Sequence, residues 1–350
     1  MRVAVVAPSR FPVREPYAGG LEAFCAQLVT ALQRARIDVD FYAARGSVGH
    51  ERAWEFPGVD WTGHESEATD HTYPPGEREK EDEAFARLQA HLAQERYDVV
   101  HNNSLHPGLF GLPHLLTTLH TPAFWEMQDR IAEVSDPGRF AAVSRTTASS
   151  WRLPTAPWIV PNGVDTTVWH PADPDPGRES PEIDALWFGR IIPDKGLHLA
   201  IDACRAAGLP LTVVGRSGDA SYWDRELAHR DGPDITWLGE KSHAELAALV
   251  SRARVVLVTP CWDEPFGLVT IEAMACGTPV AAVPRGGVAE ILSQPGAPGV
   301  LAASSEAADL ADAVIAARGI GRRETADYAQ VHFSLDALVG RYTRLYEEVA

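Results

Sequence analysis

The sequence predicts an α/β protein built from two doubly wound domains that face one another. Three observations carry that reading. Short continuous apolar runs alternate with helical stretches in two successive series, the pattern of parallel strands covered on both faces. The series are joined by residues 165–181, a stretch dense in proline and acid with the composition of a linker. The 350 residues also exceed what one hydrophobic core usually organises.

The elements follow in order. Residues 3–7 are an apolar run ended by Pro8, read as a buried strand. Gly19-Gly20 opens a helical stretch in which Leu21, Phe24, Cys25, Leu28, Val29 and Leu32 recur at helical spacing, and 39–43 is the next strand. Residues 50–83, rich in Gly, Pro, Glu and His, are read as a long loop facing substrate. A helix at 83–95 precedes strands at 98–101, 115–120 and 140–143. The second series runs strand 185–189, helix 197–207, strand 211–215, helix 221–230 and strand 235–238. It continues with helix 243–253, strand 255–259, helix 267–275 and strand 279–283. Residues 335–349 form an amphipathic stretch.

Composition narrows the function. With 31 Lys+Arg against 48 Asp+Glu, the net charge of −17 is a poor match for nucleic acid and for adsorption to anionic lipid. Cys25, Cys204, Cys261 and Cys276 show no C-x-x-C spacing, which fits reduced thiols in a cytoplasmic protein. No stretch reads as a signal peptide or a membrane span.

The most informative segment is Cys261-Trp-Asp-Glu264-Pro-Phe266-Gly267-Leu268-Val269-Thr270-Ile271-Glu272. A strand gives way to an acidic loop and then to a helix start, whose free N–H groups form an anion site. Glu272 lies about 7 Å along the helix axis from that start. A diphosphate held there would have a carboxylate on each flank, and carboxylates accept hydrogen bonds from vicinal sugar hydroxyls. Each Glu alone reads as a solvated helix face or a dipole partner. Glu272, however, is flanked by Ile271, Ala273 and Met274, where an unpaired charge is expensive. A second constellation, Phe188-Gly189-Arg190-Ile-Ile-Pro-Asp-Lys195-Gly196, occupies the strand-to-helix turn that opens the second series, where doubly wound sheets bind ligands. Lys195 is one of only three lysines, and with Arg190 it would neutralise a diphosphate without a metal.

These residues resemble the donor site of retaining glycosyltransferase family 4, whose members have the two-domain GT-B fold. Gly189, Arg190 and Lys195 match the family's diphosphate-binding residues, and Glu264 to Glu272 matches its E-x₇-E motif. The resemblance implies that Glu264 and the N–H groups of Phe266 and Gly267 hold the donor hexose, Leu268 and Val269 the phosphates, and Glu272 the ribose. Gly19-Gly20 is similar to the family's glycine loop beside the phosphates and acceptor, and Thr118-Leu-His120-Thr121 to its strand-end His at the reaction centre. Residues 160–165, Val-Pro-Asn-Gly-Val-Asp, also match, and Leu238 within Trp237-Leu-Gly-Glu240 lies where the family packs the nucleobase. The implied organisation is an acceptor-binding domain over 1–165, a linker over 166–182, a donor-binding domain over 183–332, and a terminal helix over 333–350 packed back on the first domain.

The implied activity is transfer of a hexose, with retention, from a nucleotide sugar to a hydroxyl of a small-molecule or glycan acceptor. A UDP-sugar is the favoured donor, with GDP- and ADP-sugars open. The leaving diphosphate, stabilised by Arg190 and Lys195, would help deprotonate the acceptor in a front-face substitution that needs no metal and no cofactor. His120 would orient the donor sugar beside the developing positive charge, which makes His120, Arg190, Lys195 and Glu264 the catalytic set. Asn102 and Trp125 are candidate acceptor contacts, and Trp151 and Tyr73 candidate aromatic platforms. Asp38-Val-Asp40 and Asp173-Pro-Asp175 superficially read as D-x-D metal motifs but are taken as structural. The rival readings are a nucleotide-sugar epimerase or phosphorylase, and a non-catalytic nucleotide-sugar-binding subunit.

Overall fold

A computed structural model describes residues 1–48, 55–56, 58–64, 73–172 and 182–350. Residues 50–54, 57 and 65–72 of the loop expected at 50–83, and residues 173–181 of the expected linker with Asp173 and Asp175, lie outside the described residues. The chain divides into two compact units. One comprises Met1–Val143, Thr147–Pro161 and Leu338–Ala350, the other Ser144–Thr146 and Asn162–Ala337.

The first unit holds a seven-stranded parallel sheet of β1 (Arg2–Val6), β2 (Asp38–Ala44), β3 (Glu55–Phe56), β4 (Val99–Asn102), β5 (Leu115–Leu119), β6 (Arg139–Ala142) and β7 (Trp158–Ile159), in the order 3-2-1-4-5-6-7. Val3, Val5 and Val6 are fully buried, as a strand covered on both faces requires. Helix α1 (Gly20–Arg34) buries the predicted stripe of Phe24, Cys25, Leu28, Val29 and Leu32. Helices α2 (Glu77–Leu92), α3 (Trp125–Glu133) and α4 (Arg145–Ser150) complete the connections, so the helix expected at 83–95 starts six residues earlier.

The second unit repeats the pattern with six parallel strands, β8 (Ala185–Phe188), β9 (Leu211–Val214), β10 (Ile235–Trp237), β11 (Val256–Val258), β12 (Val280–Ala282) and β13 (Gly299–Leu301), ordered 10-9-8-11-12-13. Its helices are α5 (Leu197–Ala206), α6 (Ala220–Tyr222), α7 (His243–Val250), α8 (Leu268–Ala275), α9 (Gly286–Leu292), α10 (Ala307–Ala317) and α11 (Arg322–Phe333). The single helix expected at 221–230 is instead α6 followed by a π-helical turn at Trp223–Leu227 and a 3₁₀ turn at Ala228–Arg230. Both sheets reverse strand order beside their first strand, β1/β4 and β8/β11, and ligands of doubly wound sheets bind at the carboxyl ends of such strands.

Two expected boundaries shift. The division falls after Pro161, because residues 162–172 are fastened into the second unit. Val164 N donates to Phe333 O at 2.8 Å, and the fully buried Trp169 ring stacks on Phe188 with centroids 6.1 Å apart. At the other end α11 stays in the second unit. The final helix, α12 (Leu335–Val349), joins the first unit from Leu338 onward. None of the described helices is long and apolar enough to cross a membrane.

Candidate active site

In the second unit the loops leaving β8 and β11 are laced together. Cys261 N donates to Asp194 O at 2.8 Å, and Thr259 Oγ1 donates to Gly196 O at 2.9 Å. Gly196 has a left-handed φ of +63°, and a Cβ there would lie 1.9 Å from Thr259 O, so only glycine allows this approach. The approach brings Lys195 Nζ to 2.6 Å from Glu264 Oε2, which also accepts from Trp262 Nε1 at 3.0 Å. The Lys195 and Glu264 side chains are 25% and 15% exposed. Glu264 Oε1 has no partner among the described residues.

Glu264 is fixed from behind by the start of α9. Gly287 N donates to Glu264 O at 2.7 Å, and a Cβ on Gly286 would lie 2.3 Å from that oxygen. Gly267 caps α8 without a side chain, so the first N–H groups of the helix, Leu268 and Val269 included, receive no side-chain cap. Further along α8, Glu272 is deeply set yet not sealed from solvent. Burial pushes its carboxyl up to about 8, and no described residue pairs with it. Arg190, half-buried, follows Gly189 at the end of β8, while Gly189 N donates to Val214 O at 3.1 Å and Leu238 N to Val213 O at 3.0 Å. The carboxyl ends of β8, β9, β10 and β11 therefore share one edge of the sheet, and the segments that leave it carry Arg190 and Lys195 after β8 and Glu264, the start of α8 and Glu272 after β11.

In the first unit His120 follows β5. Its Nε2 is 3.0 Å from Asn103 Oδ1, and the Phe24 ring of α1 lies 4.7 Å away between centroids. Burial pushes the imidazole down to about 3, so it is neutral at physiological pH. Gly19 caps α1 in extended conformation, and Gly20 is its first residue.

Two family patterns divide this chain between them. Glycosyltransferase Family 4 matches residues 18–168, and Glycosyl transferases group 1 matches residues 172–319. The chain belongs to this glycosyltransferase family. Relatives of the enzyme include a D-inositol 3-phosphate glycosyltransferase of Pseudarthrobacter chlorophenolicus, 29% identical over 89% of this chain and 86% of that protein. A glycogen synthase of Mycobacterium tuberculosis is 36% identical over 45% of this chain and 38% of its own. Among solved structures, a glycosyltransferase involved in avilamycin A biosynthesis superposes with a TM-score of 0.73 at 22% identity, covering 99% of this chain and 97% of that one. An Anabaena protein solved with UDP and glucose gives a TM-score of 0.70 at 19% identity, covering 99% of this chain and 100% of that one. These likenesses identify the fold as GT-B.

Within the glycosyltransferase, residues from distant stretches of the second unit come together, Lys195 and Glu264 most directly. Asn102 is a correction. It is fully buried, and its Oδ1 accepts from Ser104 N at 3.0 Å and Ser104 Oγ at 2.6 Å, so it braces a turn. Its neighbour Asn103 faces His120. Trp151 is likewise packing, since it is 7% exposed and its Nε1 donates to Thr121 O at 2.9 Å. Tyr73 lies under the Arg10 guanidinium, 4.1 Å from the ring centroid, and donates to Glu81 Oε2 at 2.6 Å. Trp125 opens α3 and is 72% exposed. Asp40 is structural, gripped by Arg2 at 2.7 Å and by Tyr97 at 2.8 Å. Sequence reasoning missed Asn103, Trp262 and Gly286-Gly287. The paired glycines and the tryptophan beside Glu264 were the available signals.

Proposed function

We propose that the enzyme transfers a hexose from a nucleotide sugar, a UDP-sugar foremost, to a hydroxyl of a small-molecule or glycan acceptor with retention of anomeric configuration and without a metal ion. The observation that carries the reading is the state of the two carboxylates of the second unit. Glu264 is tied to Lys195 through one oxygen and keeps the other open, and the deeply set Glu272 has no partner, among the described residues. Both are groups that sugar hydroxyls satisfy.

In this reading Arg190, Lys195 and the N–H groups at the start of α8 take the diphosphate, Glu264 with Phe266 and Gly267 the hexose, Glu272 the ribose, and Leu238 borders the base. The acceptor oxygen bonds to the anomeric carbon as the bond from that carbon to the diphosphate oxygen breaks. The acceptor proton passes to the departing phosphate oxygen. The cations and amides stabilise the charge left on the diphosphate. His120 and the glycine loop at Gly19-Gly20 act from the first unit, which takes the acceptor. Relatives named for inositol phosphate glycosyl transfer and for glycogen synthesis fit a small-molecule and a glycan acceptor respectively, and the Anabaena neighbour's bound UDP supports uridine.

A thermal-shift screen of UDP-, GDP-, ADP- and dTDP-sugars identifies the donor. The anomeric proton coupling of the product, followed by NMR, then tests the stereochemistry. An inverted product overturns the mechanism, and donor binding without turnover on any hydroxyl acceptor favours a binding subunit.

A further inference from the structure

His120 does not stand alone at the end of β5. Asn103, fully buried, has its backbone N–H on Val6 O at 2.8 Å and its Nδ2 directed to His101 O at 3.4 Å. With the amide nitrogen spent on that carbonyl, the side-chain oxygen is what faces His120 Nε2 at 3.0 Å. An amide oxygen only accepts, so the hydrogen of this bond belongs to the imidazole.

One tier deeper the same two strands carry a second bond pair. His101 Nε2 meets Thr118 Oγ1 at 2.8 Å, His101 Nδ1 meets Tyr346 Oη at 2.8 Å, and Thr118 Oγ1 meets Tyr342 Oη at 3.0 Å. Residues 101 and 103, like 118 and 120, are two apart and share a side of the sheet. Helix α12 therefore braces β4 and β5 directly beneath Asn103 and His120. Phe24 closes the ring from α1. The titratable neighbour is His101, itself neutral in its buried site.

Building on the glycosyl-transfer reading above, we infer that Asn103 is a positioning residue. Its side-chain oxygen holds the His120 proton on Nε2 and leaves Nδ1 as the bare acceptor for a hydroxyl of the bound sugar. Nδ1 has no partner among the described residues. This role differs from charge stabilisation by an imidazolium, because a neutral ring with a fixed lone pair orients a hydroxyl and excludes the other tautomer.

The direct test is the ¹⁵N–¹H correlation spectrum of the histidine-labelled wild-type protein, with His120 assigned through His120→Gln. The expected result is the Nε2–H tautomer across the neutral range, and an Nδ1–H ring overturns the inference. In kinetics with UDP-glucose as donor, Asn103→Leu is expected to lower kcat about ten- to a hundredfold with little change in KM, the scale on which orienting partners of histidines act. Asn103→Asp, which keeps the acceptor, restores kcat and moves the acid limb of its pH profile upward, since a carboxylate favours the protonated ring. Unchanged kcat in a folded Asn103→Leu enzyme overturns the role. If wild-type protein turns over no nucleotide sugar, the functional reading fails while the spectrum still decides the tautomer.

Discussion

Lys195 and Glu264 are 69 residues apart in the chain, and their side chains meet at 2.6 Å at the strand ends of the second unit. On the proposed reading, the pair holds the cation in place before the diphosphate arrives. The two partners should therefore respond differently to removal. Lys195→Met is expected to weaken both UDP and UDP-sugar binding. Glu264→Gln should bind UDP as well as or better than wild type, because it no longer competes for the ammonium. It should still lose about 1–3 kcal/mol in kcat/KM for the intact donor. Calorimetry with UDP beside steady-state kinetics checks the split, and parallel losses in both variants would assign Glu264 to the phosphates.

On the proposed reading, Glu272 links nucleotide binding to protons. Burial pushes its carboxyl up to about 8, and ribose hydroxyls would donate to the ionised form. Binding at neutral pH should release a proton, and affinity should climb as pH rises toward 8. Titration calorimetry in two buffers of different ionisation heat measures the proton count, and zero release removes the ribose role. The stability of the free protein has a matching sign. The folded carboxyl sits above its ordinary 4.5, so this group's contribution is intact below 4.5 and lost progressively between 4.5 and about 8, a slope that Glu272→Gln should abolish.

His120→Ala should lower kcat while leaving UDP affinity close to wild type. His120 belongs to the first unit, whereas Arg190, Lys195 and Glu272 belong to the second. A contact made mainly in the transition state appears in kcat. A loss of UDP affinity as large as the loss of rate would put His120 among the nucleotide-binding residues.

Turnover should persist in EDTA, since on the proposed reading Arg190, Lys195 and the amides at the start of α8 supply the counter-charge for the diphosphate. Activity abolished by chelation and restored by Mg²⁺ or Mn²⁺ would show that these groups are insufficient.

Tyr346→Phe should destabilise the protein by about 1–3 kcal/mol, because it strands His101 Nδ1 in a fully buried site. Chemical denaturation measures the cost, and a neutral result would mean that water reaches the ring.

Much of this architecture was legible because parallel strands covered on both faces are continuous apolar runs, as residues 3–6 and 185–188 are. The missed elements lack that signal. β7 is the two-residue Trp158–Ile159, and β13, Gly299–Leu301, begins at a glycine that lets it lie against Val280 O. Residues 165–181 read as linker because of their prolines and acids, yet within that stretch the buried Trp169 stacks on Phe188. Lys195, Glu264 and Glu272 stood out by spacing and residue type. Choosing between Asn102 and Asn103 was beyond the sequence, since neighbouring residues at a strand end point to opposite sides and only the packing of β4 on β5 says which side holds His120.

Leu338–Ala350 completes the unit that Met1–Val143 begins, so the second unit is spliced into the first. Order of synthesis then matters. The stretch that supplies nearly all of the second sheet is contiguous and can close as soon as it clears the ribosome. The first sheet must wait for Tyr342 and Tyr346, on the order of ten seconds or more at ordinary elongation rates. Throughout that interval His101 and Thr118 lack their hydroxyl partners. The nascent amino-terminal half therefore spends that interval with two polar groups of its core short of a partner.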